Sequence, residues 1–262
     1  MLNSRTDISK QAKWLLQEDP DYLLAYPSNL SALARYFLEK GYLLNNIREI
    51  RSFGEALGDS VRNICRQAWN VGIVDGYTTQ EVGIIAIQCP DHEENYHVQS
   101  ENCLVEVVDD QGVPCRPGEI GRILVTSLHN FAMPLIRYEI GDYAEVGLSC
   151  PCGRGLPVLK KILGRVRNML ILPNGEKKWP SLAYSQYADI APIQQFQVIQ
   201  KSLESIEMRL VVNELLNKEQ EQGLAKVIAN SLGYPFQVSF TYMDEIPRSS
   251  SNKFEEFMSE IA

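Results

Sequence analysis

Apolar side chains recur with helical spacing in three stretches of the first seventy residues. These stretches are residues 7–17, 30–41 and 59–70. Short extended runs rich in Ile, Val, Leu and Tyr lie between and after them, at residues 22–26, 47–51 and 71–74. Pro27-Ser28-Asn29 resembles a helix N-cap, and Gly41 is a typical helix end. This alternation of strand and helix predicts a mostly parallel sheet.

The pattern changes after residue 96. Residues 97–163 alternate apolar and polar positions in several short runs, with a turn signal at Gln111-Gly112, which predicts a small barrel-like antiparallel subdomain. Beyond Gly164 a third pattern predicts strands near 194–200, 205–213 and 236–243, a helix over 217–232, and a short final helix from Lys253. The predicted fold class is therefore α/β, with a partial parallel-sheet subdomain, a β-barrel-like subdomain and a small α+β C-terminal domain. The predicted domains are 1–163 and 164–262.

Composition narrows the class of partner. The chain has 262 residues, of which 45% are hydrophobic and 22% charged, with a formal net charge of -8. Acidic and basic residues are mixed, which argues against a nucleic-acid surface. The N-terminus lacks the pattern of a secretory leader, and no apolar run is long enough to span a bilayer. We therefore expect a cytoplasmic protein that acts on small molecules or proteins.

A polar segment follows the extended run at 71–74. It reads Asp75-Gly76-Tyr77-Thr78-Thr79-Gln80-Glu81. Ligands bind at the carboxyl ends of parallel strands, where an aromatic ring can stack on a base, hydroxyls can bind phosphate, and a carboxylate can bind Mg²⁺. The alternative is a polar turn between two strands.

Two later segments have related chemistry. In Pro134-Leu135-Ile136-Arg137-Tyr138-Glu139-Ile140-Gly141-Asp142, the final carboxylate could accept both ribose hydroxyls, and the alternative is a surface ion pair. In Ile246-Pro247-Arg248-Ser249-Ser250-Ser251-Asn252-Lys253, hydroxyls and an ammonium group suit a phosphate. Taken alone, that last segment is typical of a solvated loop.

Taken together, these segments resemble a known family. The stretches FGEAL, YTTQE, EVVDDQGVPCRPGEIGRILVTSL, PLIRYEIGD, CPCGRGLP, GRVRNML and IPRSSSNK are similar in order and spacing to adenylate-forming ligases, specifically the phenylacetate-CoA ligases and their capsule-biosynthesis (CapK-like) relatives. The resemblance covers nearly the whole chain. It implies a ligase that activates a carboxylic acid with ATP to an acyl-adenylate, releases pyrophosphate, and passes the acyl group to a thiol, commonly CoA.

The resemblance also implies roles for individual residues. Tyr77 would stack on adenine, Asp142 would hold the ribose hydroxyls, and Lys253 would neutralise charge when the carboxylate attacks the α-phosphate. The other implied nucleotide-binding positions are Gly54, Glu55, Ala56, Thr78, Thr79, Gln80 and Arg165.

Glu81 would bind Mg²⁺, and Arg167 would be the hinge residue of a mobile C-terminal domain. Three positions depart from the family pattern. Gln80 replaces Ser or Thr, although an amide can still donate to phosphate. Arg167 replaces a common hinge Asp, and Asn252 replaces the usual Gly before the lysine.

A second group of residues has metal-binding chemistry. Cys89 and His97 form a Cys-x₇-His pair, and Cys150 and Cys152 form a Cys-x-Cys pair. A Cys₃His set is a structural Zn²⁺ site, which would fasten residues 85–97 to the β-rich segment. The alternative is unrelated buried thiols and a surface histidine.

The Ser/Thr/Gly-rich triphosphate loop of the resembled family has no counterpart in residues 1–60. We therefore expect a truncated or split form, completed by an N-terminal polypeptide or a second copy. Two hypotheses stay open. In one, the chain is part of an acid–thiol ligase. In the other, it is a non-catalytic module that binds AMP, acyl-adenylate or CoA, or that serves in assembly.

Overall fold

The computed structural model describes residues 2–3, 6–180, 182, 186–187, 189–248 and 254–261. The chain divides into two compact units, Met1–Gly164 and Arg165–Ala262.

The first unit begins with parallel strands and helices. The helices are α1 (Ile8–Glu18), α2 (Pro27–Lys40) and α3 (Asp59–Trp69), and the parallel strands are β1 (Tyr22–Ala25), β2 (Glu49–Phe53) and β3 (Ile73–Thr79). Asp7 caps α1 by accepting a hydrogen bond from the Ser9 backbone N–H at 2.8 Å. Gly41 ends α2 in the left-handed conformation, with φ 65°. The helices cover one core with β1–β3, as the strand–helix alternation predicts.

The same sheet continues through antiparallel strands. These are β4 (Gly83–Gln88), β5 (Tyr96–Val98), β6 (Cys103–Val108), β7 (Ile120–Ser127), β8 (Tyr138–Val146) and β9 (Val158–Arg165). The strand order is β1-β2-β3-β4-β5-β9-β8-β7-β6, so the nine strands form one sheet that is not closed among the described residues. A second core nevertheless joins side chains from β3 to β9, because the antiparallel part curls around its own apolar face. The predicted α/β class is confirmed, and the barrel-like part is an open, curled continuation of the sheet.

The second unit is a separate α+β module. It contains a 3₁₀ turn (Val166–Asn168), strands β10 (Leu170–Ile171), β11 (Lys177–Lys178), β12 (Ile193–Gln200), β13 (Ser205–Val212), β14 (Gln237–Tyr242) and β15 (Phe257–Ser259), and helix α4 (Lys218–Leu232). The main sheet has the order β14-β13-β12-β15. Side chains of α4 and β12–β15 share one core.

The final helix predicted from Lys253 is wrong over its described part. Residues Phe257–Ser259 form β15, which pairs in parallel with β12. Phe257 and Ser259 are both buried while Met258 between them is less so, which is the period-two burial of a strand.

No helix among the described residues is long and apolar enough to cross a membrane.

Candidate functional site

The carboxyl ends of β2 and β3 lie side by side. Phe53, the last residue of β2, is in register with Gly76, so the Gly54-Glu55-Ala56 segment leaves the sheet next to Tyr77. The Glu55 carboxylate accepts hydrogen bonds from the Ser28 backbone N–H at 2.9 Å and from the Ser28 hydroxyl at 3.1 Å. Glu55 therefore caps the first turn of α2 and fixes this loop at the edge where ligands bind in parallel sheets.

Tyr77 and Asp142 meet across the curled sheet. The Tyr77 hydroxyl donates to Asp142 Oδ2 at 2.8 Å. Their strands, β3 and β8, are four places apart in the strand order. In a flat sheet that separation would be about 19 Å, so the curl brings the two side chains together. The structure thus joins the residues implied for the base and the ribose.

The rest of the YTTQE segment forms the end of β3 and the turn into β4. Thr78 and Thr79 are half-buried, and the Thr79 hydroxyl accepts from the Val82 backbone N–H at 3.3 Å. Gln80 and Glu81 are exposed in the turn. Hydroxyl, amide and carboxylate groups are thereby presented beside Tyr77, and their roles toward phosphate and Mg²⁺ stay predictions.

A buried carboxylate lies two residues before Tyr77 on the same strand face. Asp75 is 8% exposed and accepts hydrogen bonds from the hydroxyls of Ser52, at 2.5 Å, and Tyr96, at 2.9 Å. Its backbone N–H donates to the side-chain oxygen of Gln88 at 2.8 Å. The sequence pattern alone assigns no role to Asp75. The available signal was an acidic residue on the buried face of an apolar strand.

Burial dominates the electrostatics of this network. Desolvation raises the pKa of Asp75, against the hydrogen bonds from Ser52 and Tyr96 that lower it. Desolvation and the neighbouring Asp75 carboxylate raise the pKa of Tyr96 far above its usual value, so the phenol stays protonated as a donor.

Cys89, His97, Cys150 and Cys152 converge although the two pairs are far apart in sequence. Their ligand atoms all lie within 4.8 Å of one another. Cys150 Sγ is 3.8 Å from Cys89 Sγ, and Cys152 Sγ is 3.3 Å from His97 Nε2. The other ring nitrogen, His97 Nδ1, is buried without a hydrogen-bond partner among the described residues.

Two side chains with nitrogen donors lie beside the cysteine sulfurs. The Asn95 amide donates to Cys150 Sγ at 3.3 Å, and the Arg154 guanidinium lies 3.8 Å from Cys89 Sγ and 2.9 Å from Asp91 Oδ2. The Arg154 backbone N–H is the main cause that lowers the pKa of Cys152 to about 6, while burial raises the pKa of Cys89. The Arg154 N–H groups therefore favour negative charge on Cys152 Sγ.

The segment predicted to be a hinge is hydrogen-bonded to residues that follow position 253 in the chain. The guanidinium of Arg167, in the 3₁₀ turn, binds the carboxylate of Glu255, and the Asn168 amide donates to the Phe257 carbonyl at 2.9 Å. Arg165 is exposed and its backbone N–H donates to Asn168 Oδ1 at 3.2 Å. Lys253 itself lies outside the described residues. Its role stays a prediction, as do the nucleotide role of Arg165 and the hinge role of Arg167.

Arg137 does not pair with Asp142. Its guanidinium binds Glu106 at 3.1 Å, so the exposed ion pair that was the alternative for this segment forms with a different carboxylate.

The chain is similar in sequence to known proteins. Residues 182–260 match the family model of the CapK C-terminal domain. The phenylacetate-coenzyme A ligase of Thermus thermophilus is 25% identical over 89% of this chain and 59% of its own length. The phenylacetate-coenzyme A ligase of Escherichia coli K12 is 26% identical over 92% of this chain and 58% of its own length. The chain therefore spans somewhat more than half the length of these relatives.

Solved structures share the fold. A 2-hydroxyisobutyryl-CoA ligase in complex with R3-HIB-AMP superimposes with a TM-score of 0.79 and 18% identity, over 99% of this chain and 58% of that one. An anthranilate CoA ligase in complex with anthranoyl-AMP gives 0.72 and 19%, over 96% and 51%. The C-terminal part of the chain thus matches the CapK C-terminal domain, the chain is similar in sequence to phenylacetate-coenzyme A ligases, and its fold is similar to that of CoA ligases of known structure.

Proposed function

We propose that this chain supplies the adenylate site of an acid–thiol ligase. The single observation that carries the proposal is the Tyr77–Asp142 hydrogen bond at the carboxyl edge of β3. It places an aromatic ring beside a carboxylate, as recognition of a base and its ribose requires. The ligase chemistry itself is taken from the relatives, of which the chain covers about 59%.

In the proposed reaction, a carboxylate oxygen of the acid attacks the α-phosphorus of ATP, and pyrophosphate leaves. Lys253 neutralises the charge that develops on the phosphate oxygens. The sulfur of a thiol such as CoA then attacks the carbonyl carbon of the acyl-adenylate, and AMP leaves. The thiol proton goes to solvent.

The hydrogen bond to Tyr77 orients Asp142, which would accept from the ribose hydroxyls with its carboxylate oxygens. Glu81, exposed in the turn after β3, would hold Mg²⁺ through oxygen, which is the ligand type that ion prefers. Mg²⁺ supplies charge compensation on the phosphates when bound. Arg167 would be the hinge residue about which the C-terminal domain moves between the first and the second reaction step.

The proposal extends to partners, location and a second metal. A complementary N-terminal polypeptide or a second copy would supply the triphosphate loop. A cytoplasmic location fits the six cysteines, which are all free. Zn²⁺ would be a structural cofactor at the Cys/His cluster.

Measurement of pyrophosphate release tests the proposed ligase function. The chain is incubated with ATP and a panel of carboxylic acids, alone and with a candidate complementary polypeptide. We expect release in at least one pairing, and a loss of about 10²–10³-fold in the Lys253→Ala variant. Lys226→Ala removes an exposed lysine of α4 and should retain full activity.

Titration calorimetry with AMP and CoA distinguishes the ligase from the alternative, a non-catalytic binding module. A protein that binds AMP but releases no pyrophosphate in any pairing would be a binding module. A protein that binds neither AMP nor CoA would overturn the ligase proposal and the ligand-binding form of the alternative, and would leave only the assembly role.

A further inference from the structure

We infer that one Zn²⁺ ion bound by Cys89, His97, Cys150 and Cys152 holds Tyr77 and Asp142 together, so that loading with metal strengthens adenylate binding. The metal assignment stands on the cluster alone. The effect on adenylate binding rests on the proposed function.

Two of the distances between the four ligand atoms are close to those of a tetrahedral zinc site. With Zn–S bonds of about 2.3 Å and Zn–N bonds of about 2.0 Å, two sulfurs lie about 3.8 Å apart, and a sulfur and a nitrogen about 3.5 Å apart. The Cys89–Cys150 distance is 3.8 Å and the Cys152–His97 distance is 3.3 Å. Three sulfurs and one imidazole nitrogen leave no open position on a tetrahedral ion, so the site is structural and not catalytic.

The surroundings of the cluster suit metal-bound thiolates. Three thiolates and one Zn²⁺ carry one net negative charge. The Arg154 guanidinium beside Cys89 Sγ balances that charge, and Asp91 orients the guanidinium. The Asn95 amide donates to Cys150 Sγ. Such outer partners orient metal ligands and tune their charge.

The cluster is connected to Tyr77 through Asp75. Gln88 directly precedes Cys89, and Tyr96 directly precedes His97. Both of these neighbours bind Asp75, Gln88 through the backbone N–H and Tyr96 through the carboxylate. A displacement of the β4–β5 hairpin would therefore be passed to β3, on which Tyr77 lies two residues beyond Asp75.

The cluster is also connected to Asp142. Cys150 and Cys152 lie in the segment between β8 and β9, and β8 carries Asp142. The ion would bind this segment to the β4–β5 hairpin. Together with the Tyr77–Asp142 hydrogen bond, it closes a ring of contacts that fixes the distance between the two side chains. Such preorganisation strengthens ligand binding, because less ordering is needed when the ligand arrives.

Metal content and cobalt substitution test the assignment. The full chain, purified in reductant, should contain one zinc per chain by elemental analysis. After chelation and loading with Co²⁺, it should show the visible bands of tetrahedral cobalt with thiolate ligands. The Cys150→Ser/Cys152→Ser variant should lose both signals, whereas Cys115→Ser, outside the cluster, should keep them. A folded wild-type chain that binds neither metal, or one whose Cys89 and Cys150 are oxidised to a disulfide, would overturn the inference.

AMP titration of the wild-type chain tests the positioning role. Chelation should weaken AMP binding by about tenfold, and added Zn²⁺ should restore it. Tyr96→Phe removes one hydrogen bond to Asp75 without touching a ligand atom. It should keep the zinc and the cobalt spectrum yet bind AMP severalfold more weakly, while Tyr138→Phe on β8 should bind as the wild type does.

These outcomes separate the two proposals. Equal AMP affinity of the zinc-loaded and the folded metal-free chain would refute the positioning role alone. No AMP binding by the zinc-loaded chain would refute the proposed function and the positioning role with it, while the cobalt spectrum would still decide the metal assignment.

Discussion

The two units bury polar side chains of different kinds. Among the described residues, the first unit buries Asp75 with its partners Ser52 and Gln88, and it buries Asn95 and His97 at the Cys/His cluster. It also buries the amide side chains of Gln11 and Asn29, which share a hydrogen bond of 3.0 Å. The second unit buries only uncharged polar side chains, Gln197, Gln200 and Ser259. Both groups are largely hydrogen-bonded, but only the first includes ionisable groups.

In the second unit these groups hold strands together. The Gln200 side chain accepts from the Ile171 N–H at 3.0 Å and donates to the Ile171 carbonyl at 2.6 Å. It also accepts from the Ser259 hydroxyl at 3.1 Å. One fully buried amide thus joins β10, β12 and β15, which is a purely structural use of polar groups.

In the first unit the buried ionisable side chains lie next to the candidate site, on β3 and β5. Burying an ionisable side chain costs more free energy than burying an amide, and strongly perturbed groups concentrate at functional sites. The comparison therefore predicts that the buried ionisable groups of the first unit contribute to ligand binding, whereas the buried polar groups of the second contribute to stability. The predictions below test this contrast.

The largest expected effect is on AMP binding. Asp142→Ala removes the carboxylate proposed to hold the ribose and the acceptor of the Tyr77 hydroxyl. We expect calorimetry to show AMP affinity lowered about 100-fold, because hydrogen bonds to a charged group contribute about 1.5–3 kcal/mol each. Asp142→Asn keeps an acceptor for Tyr77 and should lose less. Asp110→Ala, an exposed aspartate, is the control. If Asp142→Ala binds AMP with unchanged affinity, Asp142 is not part of an AMP-binding site in the first unit.

The sequence was informative where the signal was local. Helical spacing located α1–α3, and the left-handed cap at Gly41 ends α2 where the sequence indicates. Soft ligand types alone selected Cys89, His97, Cys150 and Cys152, which the structure brings together. In both cases, the residue types or the spacing of apolar residues predict the feature without knowledge of the strand order in the sheet.

The sequence was uninformative where strand order decides the contact. The Tyr77–Asp142 bond depends on the curl of a sheet whose strand order is not sequential, and the Asp75 partners come from three different strands. The final strand was mistaken for a helix because three residues are too few to show a period, and pairing with β12 decides their conformation.

The second-largest effect should be on the stability of the second unit. Gln200→Leu leaves the N–H and carbonyl of Ile171 without their partner, and we expect the free energy of unfolding to fall by about 2 kcal/mol. Urea unfolding and hydrogen exchange of β12 measure this change. AMP affinity should stay unchanged, and Gln194→Leu on the exposed face of β12 should cost less than about 0.5 kcal/mol. A fall in the AMP affinity of Gln200→Leu would mean that the buried polar groups of the second unit also contribute to ligand binding.

A smaller effect, of opposite sign, is expected at Asp75. Burial raises the pKa of this carboxyl, so its stabilising contribution is greatest below the usual value of 3.8 and is lost as pH rises through the folded-state pKa. Asp75→Asn avoids burying the charge and should be more stable than the wild type at neutral pH by about 1 kcal/mol. The difference should shrink toward pH 4 in urea titrations. The same variant should bind AMP severalfold more weakly. A variant that is less stable at neutral pH would show that Asp75 serves stability.

The smallest effect, at Glu207 in the second unit, should have the reverse pH dependence. Burial raises the pKa of this carboxyl, but the hydrogen bonds from Arg209, at 3.2 Å, and Thr241, at 2.8 Å, outweigh burial, so the pKa is lowered overall. Its contribution is then present above the usual value of 4.5 and is lost as pH falls through the folded-state pKa. Glu207→Gln should therefore lower the free energy of unfolding at neutral pH by about 0.5 kcal/mol, and by less in acid. Measured with Asp75→Asn over the same pH range, the two variants should diverge from the wild type in opposite directions as pH rises. If both differences in the free energy of unfolding change in the same direction with pH, the carboxylates of Asp75 and Glu207 contribute to stability in the same way.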